Sequence, residues 1–389
     1  MIPLPFLLVD GADRPRCKRV FCGEKQWASH IIRAMASNQR SRQAAKVGAQ
    51  VGARVRSSGQ GARMRDVAQA AGVSLMTVSR ALREPHKLSE ETRKAVMDAV
   101  HQIGYVPNSI AANLASNRSN VVGQIVPSIQ NSLYADTLKG TADVLRKAGL
   151  HLLLADSGSS LQEEEALIGA FLAQRVAGLI LHNTDHTPKA LQMIERSGVP
   201  VIETGDLPRH PVDMVVSYAN AEAAKAMTLH LGARGYKRIG FVSLDTRLNR
   251  RARERLRGYQ AGLKALGLRP DPALVMEVAQ GLTSGAHAMV DMITRAPDVD
   301  AIFFAGDVLA VGALFEAQRR GWKVPDRIAL AGFDDLDIHQ HTVPKLTCLR
   351  LPRLEIGRRS AEALLARLRG GDEAPRVDLG FEVIQREST

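Results

Sequence analysis

Five arginines crowd one short stretch of this 389-residue chain and are the first candidates for binding chemistry. They are Arg250, Arg251, Arg253, Arg255 and Arg257. If the stretch is helical, Arg251 and Arg255 lie on one face, because residues four apart are neighbours on a helix. A planar guanidinium suits a carboxylate or a phosphate, since its N–H groups form a matching fork. The spacing therefore predicts an anion site, and the alternative is a solvated basic surface for most of the five.

Polar residues follow several short apolar segments that have the composition of strands. In open parallel sheets ligands bind beyond the carboxyl ends of the strands, so residues at these ends are candidates for a binding cleft. Carboxylates there suit hydroxyl groups, and with the arginines they predict a pocket for a polyhydroxylated anion. Two alternatives stay open, since Asp307 could be a helix N-cap and His182 an ordinary loop histidine. The candidates are Ser128, Asn131, Tyr134, Asp156, His182, Asn183, Asp185, Asp307, Asp334 and Asp335.

The sequence lacks the common catalytic and cofactor motifs. It has no GxSxG or HExxH motif, no Walker-type GxxxxGK(S/T), and no GxGxxG after the first strand. Its three cysteines cannot form a disulfide framework, and Cys17 and Cys22 lack further partners for zinc. Nothing places Tyr134, His182 and Asp307 around a reacting bond. We therefore expect no enzyme, no cofactor and no metal site, and a location in the reducing cytoplasm.

Positive charge is concentrated at the front of the chain. The formal net charge is +12, and residues 1–120 hold 19 of the 52 Lys and Arg residues but only 8 of the 40 acidic ones. The rest of the chain is nearly neutral, with 33 basic and 32 acidic side chains. A basic front on a neutral body is expected where one end binds a polyanion. The composition, 45% hydrophobic and 24% charged, is that of a globular protein.

Residues 1–62 carry a net charge of +8 and show no sustained apolar periodicity. We expect a basic disordered extension; a flexible arm that adds nonspecific DNA affinity and an over-extended start codon both stay open. Residues 1–9 have no basic n-region and contain Pro3 and Pro5, so we do not expect a signal peptide. No stretch of the chain approaches ~18 consecutive apolar residues, so a membrane-spanning helix is not expected either.

From residue 121 onward, short apolar strands alternate with amphipathic helices. This alternation predicts parallel sheets with helices on both faces, and roughly 270 residues is long for one such sheet, so two lobes are expected. The predicted strands are 121–127, 151–156, 177–182, 199–203, 214–218, 238–243, 301–306 and 327–333. Helices predicted in the gaps between them include 133–148, 163–174, 221–233, 250–266 and 308–320.

Between residues 64 and 104 the pattern predicts three helices, of which the first two are joined by a tight turn. Gly72 ends the first helix, because glycine enters the left-handed turn without steric cost. Ser74 is a good N-cap for a second helix at about 75–82, and Ser89 caps a third helix that runs to Gly104. This spacing is typical of a helix-turn-helix, and a generic three-helix bundle is the alternative.

Four segments of this head fall at the spacing of one known family. They are DVAQAAGVSLMTVSRAL (66–82), Ser89-x-x-Thr92, GYVPN (104–108) and IAANLAS (110–116). Through them the chain resembles the lac-repressor (LacI/GalR) family of bacterial transcription regulators, and the resemblance continues to the C-terminus, leaving residues 1–62 outside it. It implies an α/β protein with an N-terminal all-α helix-turn-helix head and a two-lobed, periplasmic-binding-protein-like body with parallel sheets.

The resemblance implies that the second helix of the head enters the major groove of DNA. Leu75 and Met76 would then read bases, which fits apolar contact with thymine methyls, and Arg80 would reach a base edge, where it suits guanine. The remaining candidates in the head would contact phosphates, which positions the protein without reading sequence, or would be ordinary surface residues. They are Arg63, Ser74, Thr77, Ser79, Arg83, Lys87, Ser89, Thr92 and Tyr105.

The segment NSIAANLAS (108–116) has apolar residues at helical spacing but is too short to be a stable helix alone. In the family, the corresponding segment folds on operator binding, pairs with its twin and wedges a leucine into the minor groove. Leu114 occupies that place, and a leucine wedge is a known device for opening a base step. Asn108 and Ala111 are further DNA-side candidates. The alternative is an ordinary linker with buried apolar residues.

Two positions of the body match effector-binding residues of the family, Asp307 in GDVLAVGA (306–313) and Arg255 in RxxGY (255–259). The body also resembles the gluconate-responsive subgroup, which implies gluconate or a related sugar acid as the effector. The segments that carry this second resemblance are HTPKALQMIERSGVPVIE (186–203), VGALFEAQRRGWKVPDRIALAGF (311–333) and AEALLARLRG (361–370).

The expected organisation has four parts: a basic extension (1–62), a helix-turn-helix domain (63–107), a hinge helix or linker (108–119), and an effector-binding and dimerisation domain (120–389). We expect a homodimeric repressor that binds a nearly palindromic DNA operator and a small sugar-acid effector, with no membrane partner. The effector should weaken operator binding, and a corepressor of opposite sign stays open. The alternative is a transport-type sugar-binding protein with the same two-lobed body, which the basic head opposes.

Overall fold

The computed structural model describes residues 62–106, 119–130, 132–306 and 308–389. These residues fall into two units, here called the head (62–106) and the body (119–389 without 131 and 307), and each is described by itself. Within these ranges, none of the helices has both the length and the apolar character needed to span a bilayer.

The head consists of three α-helices, α1 (Met64–Ala71), α2 (Leu75–Arg83) and α3 (Glu90–Ile103), with a 3₁₀ turn at Pro85–Lys87. Local sequence sets their ends. Gly72 has a φ of +65° and ends α1, as predicted from the sequence. Ser74 caps α2 by accepting the backbone N–H of Thr77 at 3.1 Å.

The core of the head is small and closed on itself. Val67 of α1, Val78 of α2 and Val96 of α3 are fully buried and belong to one apolar cluster. Each of the three helices therefore contributes a side chain to the same core. The predicted helix-turn-helix arrangement is confirmed, with α2 one residue longer at its C-terminus than expected.

The body contains twelve strands and nine helices among its described residues. In chain order they are β1 (Val121–Val126), α4 (Tyr134–Lys147), β2 (His151–Asp156), α5 (Leu161–Ala173), β3 (Gly178–Leu181), α6 (Pro188–Ser197), β4 (Val201–Glu203), β5 (Met214–Ser217), α7 (Asn220–Ala233), β6 (Ile239–Ser243), α8 (Arg250–Ala265), β7 (Val275–Glu277), α9 (Leu282–Arg295), β8 (Ala301–Phe304), α10 (Leu309–Arg319), β9 (Ala329–Gly332), α11 (Asp337–His341), β10 (Thr347–Arg350), α12 (Arg353–Leu368), β11 (Arg376–Asp378) and β12 (Glu382–Ile384).

These strands form two six-stranded sheets, and each sheet is the centre of one lobe. The first has the order β11-β5-β4-β3-β1-β2, and every neighbouring pair in it is parallel. The second has the order β12-β10-β9-β8-β6-β7 and is parallel except for β12, which runs antiparallel to β10. The predicted α/β class with two parallel-rich sheets is confirmed.

Helices cover both faces of each sheet, which is why the central strands are mostly apolar, with the buried Gln124 of β1 as an exception. In the first lobe, α5 and α6 pack on one face, and α12 lies with α4 against the other. In the second lobe, α7 and α8 cover one face, while α9 and α10 cover the opposite face.

The chain passes between the lobes three times, after β5, after β10 and after β11. Because both sheets are parallel, the carboxyl ends of their strands and the loops that follow them can face one cleft. The eight strands predicted from the sequence are all present, though most are one or two residues shorter. The short strands β7, β10, β11 and β12 were not among those predicted.

Candidate functional site

The head exposes the start of α2, where the sequence predicts base contacts. Leu75 is 52% exposed and Met76 is 68% exposed, although both are large apolar side chains. The opposite side of the helix is buried through Val78 and Ala81. A rigid helix holds this apolar pair in solvent, as expected of side chains that a partner covers, and base reading by the two residues stays a prediction.

The polar residues of the head that are predicted to contact bases or phosphates lie in different environments. Arg63, Arg80, Arg83 and Lys87 have exposed side chains, and Lys87 forms an ion pair with Glu84 at 3.0 Å. Two pairs are held together at helix starts: the hydroxyls of Ser74 and Thr77 lie 2.9 Å apart, and those of Ser89 and Thr92 lie 2.8 Å apart. Ser79 is half-buried.

Tyr105 differs from the other head candidates. It is only 8% exposed and packs in the core of the head beside α3. Its backbone N–H donates to the carbonyl of Val100 at 3.1 Å, which fixes the chain just after the helix ends. The ring is therefore a core element rather than the freely exposed phosphate contact that the sequence predicts.

Five of the candidate residues lie outside the described residues, and the structure does not test them. In the segment after the head they are Asn108, Ala111 and Leu114, and in the body they are Asn131 and Asp307.

A cleft between the two lobes gathers most of the body's remaining candidates. Ser128, Tyr134, His182 and Arg255 all line it, as the sequence predicts. Arg251 and Asp334, which the sequence also offers as candidates, line it too, and lining residues that were not predicted include Tyr218, Asn249, Gln280 and Arg353.

Arg255, from the first turns of α8, is the best-fixed side chain of the cleft. Its Nε donates to Asn220 Oδ1 at 2.8 Å, Nη1 donates to the carbonyl of Ala305 at 2.9 Å, and Nη2 donates to the Tyr218 hydroxyl at 3.2 Å. Its guanidinium also stacks on the Phe333 ring, 3.7 Å from the ring centre. These bonds use three of the five N–H groups of an arginine, and no residue in the described part of the chain accepts from the other two, one on each terminal nitrogen. A ligand carboxylate that bound both would be held by a fork.

Two neighbouring arginines of α8 form ion pairs with the first lobe. Arg250 binds Asp185 at 2.7 Å and Asp206 at 3.3 Å, and Arg253 binds Asp185 at 2.9 Å. Asp185 follows β3 of the first lobe, so these pairs, here called the latch, join the two lobes. Burial raises the pKa of Asp185, but hydrogen bonds to Arg250 and Arg253 lower it more, and it lies below its ordinary value. Arg250 is 31% exposed and paired twice, so it is not simply solvated, whereas Arg253 is paired but remains 47% exposed.

Arg251 and Arg255 line the cleft together, as their i, i+4 spacing predicts. Arg251 reaches across to the first lobe, where its Nη1 donates to the carbonyl of His182 at 3.1 Å and to Asn183 Oδ1 at 2.9 Å. The arginine thus contributes both positive charge in the cleft and a second contact between the lobes.

His182 is half-buried in the wall of the cleft. Its Nδ1 lies 3.1 Å from the Thr204 hydroxyl, and its ring meets Tyr134 edge-on with 4.7 Å between ring centres. Burial, together with the positive charges of Arg251 and Arg255, holds its pKa well below the ordinary value. Gly205 has a φ of +92°, and a Cβ there would lie 2.4 Å from the His182 carbonyl oxygen, so a side chain would displace the histidine.

Asn183 does not line the cleft, which corrects its predicted role in direct effector binding. Its Nδ2 donates to Glu164 Oε2 at 2.6 Å, while its Oδ1 accepts from Arg251. Both hydrogen-bonding ends of the amide are used within the protein. Asn183 therefore fastens the loop after β3, and its predicted contact with an effector stays a prediction.

The loop after β3 is also held by the buried side chain of His186. His186 Nδ1 lies 2.6 Å from Glu164 Oε1, and its Nε2 lies 3.4 Å from Glu203 Oε1. All three side chains are at most 2% exposed. Burial alone would lower the pKa of His186, but hydrogen bonds and charges from both glutamates raise it to about 9. The imidazolium places one positive charge beside two buried carboxylates, which offsets part of the cost of burying them.

We expect the stability of the body to fall as the pH rises through about 9. A raised pKa means that the stabilisation is complete below the unfolded value near 6.5 and is lost as His186 deprotonates. The shift corresponds to about 3 kcal/mol at neutral pH. Thermal unfolding between pH 6 and 10 should show this loss in the wild type, and His186→Gln should lower the midpoint at pH 7 and flatten the profile. The exposed His341→Gln is the control, and an equal pH profile in all three chains would contradict this role.

The electrostatics of the cleft favour an anion. Among the described residues that line it, three are arginines, Arg251, Arg255 and Arg353, and one, Asp334, is a carboxylate. Sequence reasoning noted Arg251 for its spacing and Asp334 for its place after a strand. Arg353 was not predicted, because nothing in the sequence around it indicates a ligand site. It reaches the cleft as the first residue of α12, where the chain crosses back from β10 to the first lobe.

Comparison with known proteins places these features in one group. Residues 63–108 match the model of bacterial regulatory proteins of the lacI family, and residues 228–389 match a periplasmic binding protein-like domain. The HTH-type transcriptional regulator GntR of Pseudomonas aeruginosa is 40% identical over 335 residues, which are 84% of this chain and 95% of that protein.

Solved structures agree with the sequence comparison. The crystal structure of a LacI-family transcriptional regulator from Silicibacter pomeroyi is 33% identical, with a TM-score of 0.78, covering 84% of this chain and 99% of that one. The lac repressor dimer bound to operator and the anti-inducer ONPF has a TM-score of 0.75 and covers 85% of this chain and 99% of that one. At 23% identity, the second likeness shows the fold alone.

Proposed function

This chain belongs to the LacI family of bacterial regulatory proteins, and on that premise we propose that it is a repressor whose operator affinity is controlled by a sugar acid bound in the cleft. Family membership establishes a DNA-binding transcriptional regulator and confirms that the chain is not an enzyme. It also removes the alternative of a transport-type sugar-binding protein. The effector, its sign and the assembly are the content of the proposal.

The observation that carries the effector proposal is the Arg255 fork in a cleft where arginines outnumber carboxylates. Two N–H groups of a fixed guanidinium fit the two oxygens of a carboxylate. The Asp334 carboxylate and the neutral His182 suit hydroxyl groups. A polyhydroxylated acid satisfies both kinds of group at once, whereas a neutral sugar leaves the fork unused. Similarity to GntR, a regulator by its name, agrees with gluconate or a relative as that acid.

We propose that two copies of the chain bind one nearly palindromic operator in the cytoplasm, one head on each half-site. Leu114 would wedge into the minor groove between them, with Asn108 and Ala111 beside it. The proposed domain limits are those predicted from the sequence: 63–107 for the head, 108–119 for the hinge and 120–389 for the body. Residues 1–62 are proposed to be a basic extension.

The effector can shift the equilibrium only if it binds two lobe arrangements unequally. We propose that it favours the arrangement that separates the hinge segments and so releases DNA. The latch and Arg251 tie the two lobes together in the arrangement described above, which makes these contacts part of what the effector would act on.

Titration calorimetry of the purified chain with gluconate, related sugar acids and neutral sugars tests the effector proposal. The operator for the companion assay is first selected from random-sequence duplexes. We expect heat of binding with sugar acids, little or none with neutral sugars, and weaker operator binding when the acid is present. Tighter binding of a neutral sugar would move the function away from sugar acids, and tighter operator binding would make the acid a corepressor.

In the head, we expect Arg80→Ala to change the base preference of the protein and Arg83→Ala to change its affinity for all DNA sequences. Arg80 is proposed to reach a base edge, so its loss should cost about 1–3 kcal/mol and relax the preference at one base pair. Arg83 is proposed to contact phosphate, so its loss should weaken binding to all sequences and reduce the salt dependence. Binding measured against the selected operator and single-base variants of it checks both. Uniform weakening by both changes would contradict base reading by Arg80.

A further inference from the structure

The loop after β3 makes contacts with both lobes. Toward the second lobe, the His182 carbonyl and Asn183 Oδ1 both accept from Arg251 Nη1. Toward its own lobe, Asn183 Nδ2 and His186 Nδ1 each lie 2.6 Å from an oxygen of Glu164. A shift of this loop relative to its own lobe would therefore also move its contacts with Arg251.

Glu164 holds the loop from the first turn of α5, where its side chain is buried and both of its oxygens are used. Because the pKa of His186 is about 9, both ring nitrogens carry protons at neutral pH, and Nδ1 donates to Glu164 Oε1. The other ring nitrogen, Nε2, lies 3.4 Å from Glu203 Oε1. One oxygen of Glu164 is thus taken by the histidine, and the other accepts from Asn183.

Glu164 and Arg251 together fix the orientation of the Asn183 amide, which lies between them. A carboxylate only accepts hydrogen bonds and a guanidinium only donates them, whereas an amide has one end of each kind. The amide satisfies both neighbours in one orientation, with Nδ2 2.6 Å from Glu164 and Oδ1 2.9 Å from Arg251. Turned over, it would place two donors together at one end and two acceptors at the other, which is costly where water is excluded. The carboxylate of Glu164 therefore determines that Asn183 presents an acceptor to the second lobe.

We propose that Glu164 is a positioning residue for effector binding, which holds Arg251 in place at the cleft through Asn183 and does not touch the effector. The inference rests on the proposed function and adds to it a residue that is not among the described residues lining the cleft. Arg251 lines the cleft and also joins the lobes, so its side chain has to be fixed for the ligand and for the lobe arrangement. Glu164 acts on both through one amide.

Exchanging the carboxylate and the amide tests this role, with titration calorimetry of the full chain against gluconate. In Glu164→Gln, the donor end of the new amide faces a donor of either His186 or Asn183, and in Asn183→Asp two carboxylates face each other. Each single change should weaken gluconate binding about 10-fold, the effect of losing one hydrogen bond to a charged group. In the double variant the new glutamine donates to the new aspartate, which still accepts from Arg251. That variant should bind gluconate within about threefold of the wild type, because the two losses are not additive.

Glu165→Gln is the matched control. Glu165 is the next residue of α5 and holds the end of the same loop, since its Oε2 accepts from Thr187 Oγ1 at 2.6 Å, but its bonds do not lead to Arg251. Its change should leave gluconate affinity within about threefold of the wild type. Operator binding and thermal unfolding show which variants are folded. If Glu164→Gln does not fold, Asn183→Leu removes the same amide from the other side and should show the same loss.

The outcomes separate this inference from the proposed function. Undiminished gluconate binding by Glu164→Gln or by Asn183→Leu, or a folded double variant that recovers no affinity, would overturn the inference alone. An equal loss in Glu165→Gln would overturn it too, because both glutamates would then only support the loop. Absence of any sugar-acid binding by the wild-type chain would overturn the proposed function, and this inference with it.

Discussion

Arg255→Met should abolish the effector response while operator binding persists. Methionine fills a similar volume but has no N–H group, so the effector carboxylate loses its fork and lies near a desolvated, neutral wall. Truncating one partner of a buried charge pair costs about 2–5 kcal/mol, so effector affinity should fall at least about 30-fold. Calorimetric titration with gluconate and the release of operator by gluconate measure the two effects separately.

Two companion variants show whether the fork itself is responsible. Arg255→Lys keeps the charge but not the paired donors, so it should recover only part of the affinity. Arg257→Met, two residues on, removes an arginine that pairs with the neighbouring Glu254 and is 70% exposed, and it should behave as the wild type. A full response to effector in Arg255→Met would place the effector site elsewhere.

The variant will also be less stable. Asn220 Oδ1 and the carbonyl of Ala305 lose the donor that satisfies them, and the Tyr218 hydroxyl loses one of its bonds. Each buried group left unpaired costs about 1–3 kcal/mol. Operator binding by the variant is therefore the necessary control, because it requires a folded chain and does not use Arg255.

Local patterns in the sequence predict the regular elements well. Gly72 and Ser74 fix the turn of the head through their own backbone and side-chain preferences, and the central strands are mostly apolar because helices cover both faces. The short edge strands were not predicted, because pairing with a neighbouring strand, and not their own sequence pattern, makes them strands. Arg376–Asp378 has an exposed–half-buried–exposed pattern and becomes a strand only by pairing with Met214–Ser217, far away in the sequence.

The candidate site, like the fold, could be predicted in part from local sequence and depends in part on contacts between distant segments. The i, i+4 spacing of Arg251 and Arg255 is enough to predict that both face the cleft. The partners of Arg255 come from three other segments, and no spacing connects them. The latch residue Asp185 was predicted as a cleft residue from its place after a strand, yet its carboxylate is taken by Arg250 and Arg253. Sequence shows which groups are available, and only the fold shows which are already paired.

A chain that begins at Ser119 should lose operator binding and keep effector binding. The core of the head contains only residues 62–105, and the four apolar cores of the body contain only residues from 121 onward. Removing the head therefore takes no side chain from a body core. Since specific binding is typically 10³ to 10⁷ times tighter than nonspecific binding, operator affinity should fall at least about 1000-fold. Effector affinity should change less than about threefold.

The salt dependence of DNA binding is a second, independent measurement on the truncated chain. Residues 1–120 account for a net charge of +11 of the total +12, so the isolated body is nearly neutral and should show almost no salt-dependent attraction to any duplex. Removing only residues 1–61 is the matched control. That chain loses a charge of +8 but keeps the head, so it should retain sequence preference with a shallower salt dependence. The head and the body would not be separate modules if the body alone still preferred one duplex over another, or if it no longer bound effector. Either result would mean that the head and the body share a core or a DNA-binding surface.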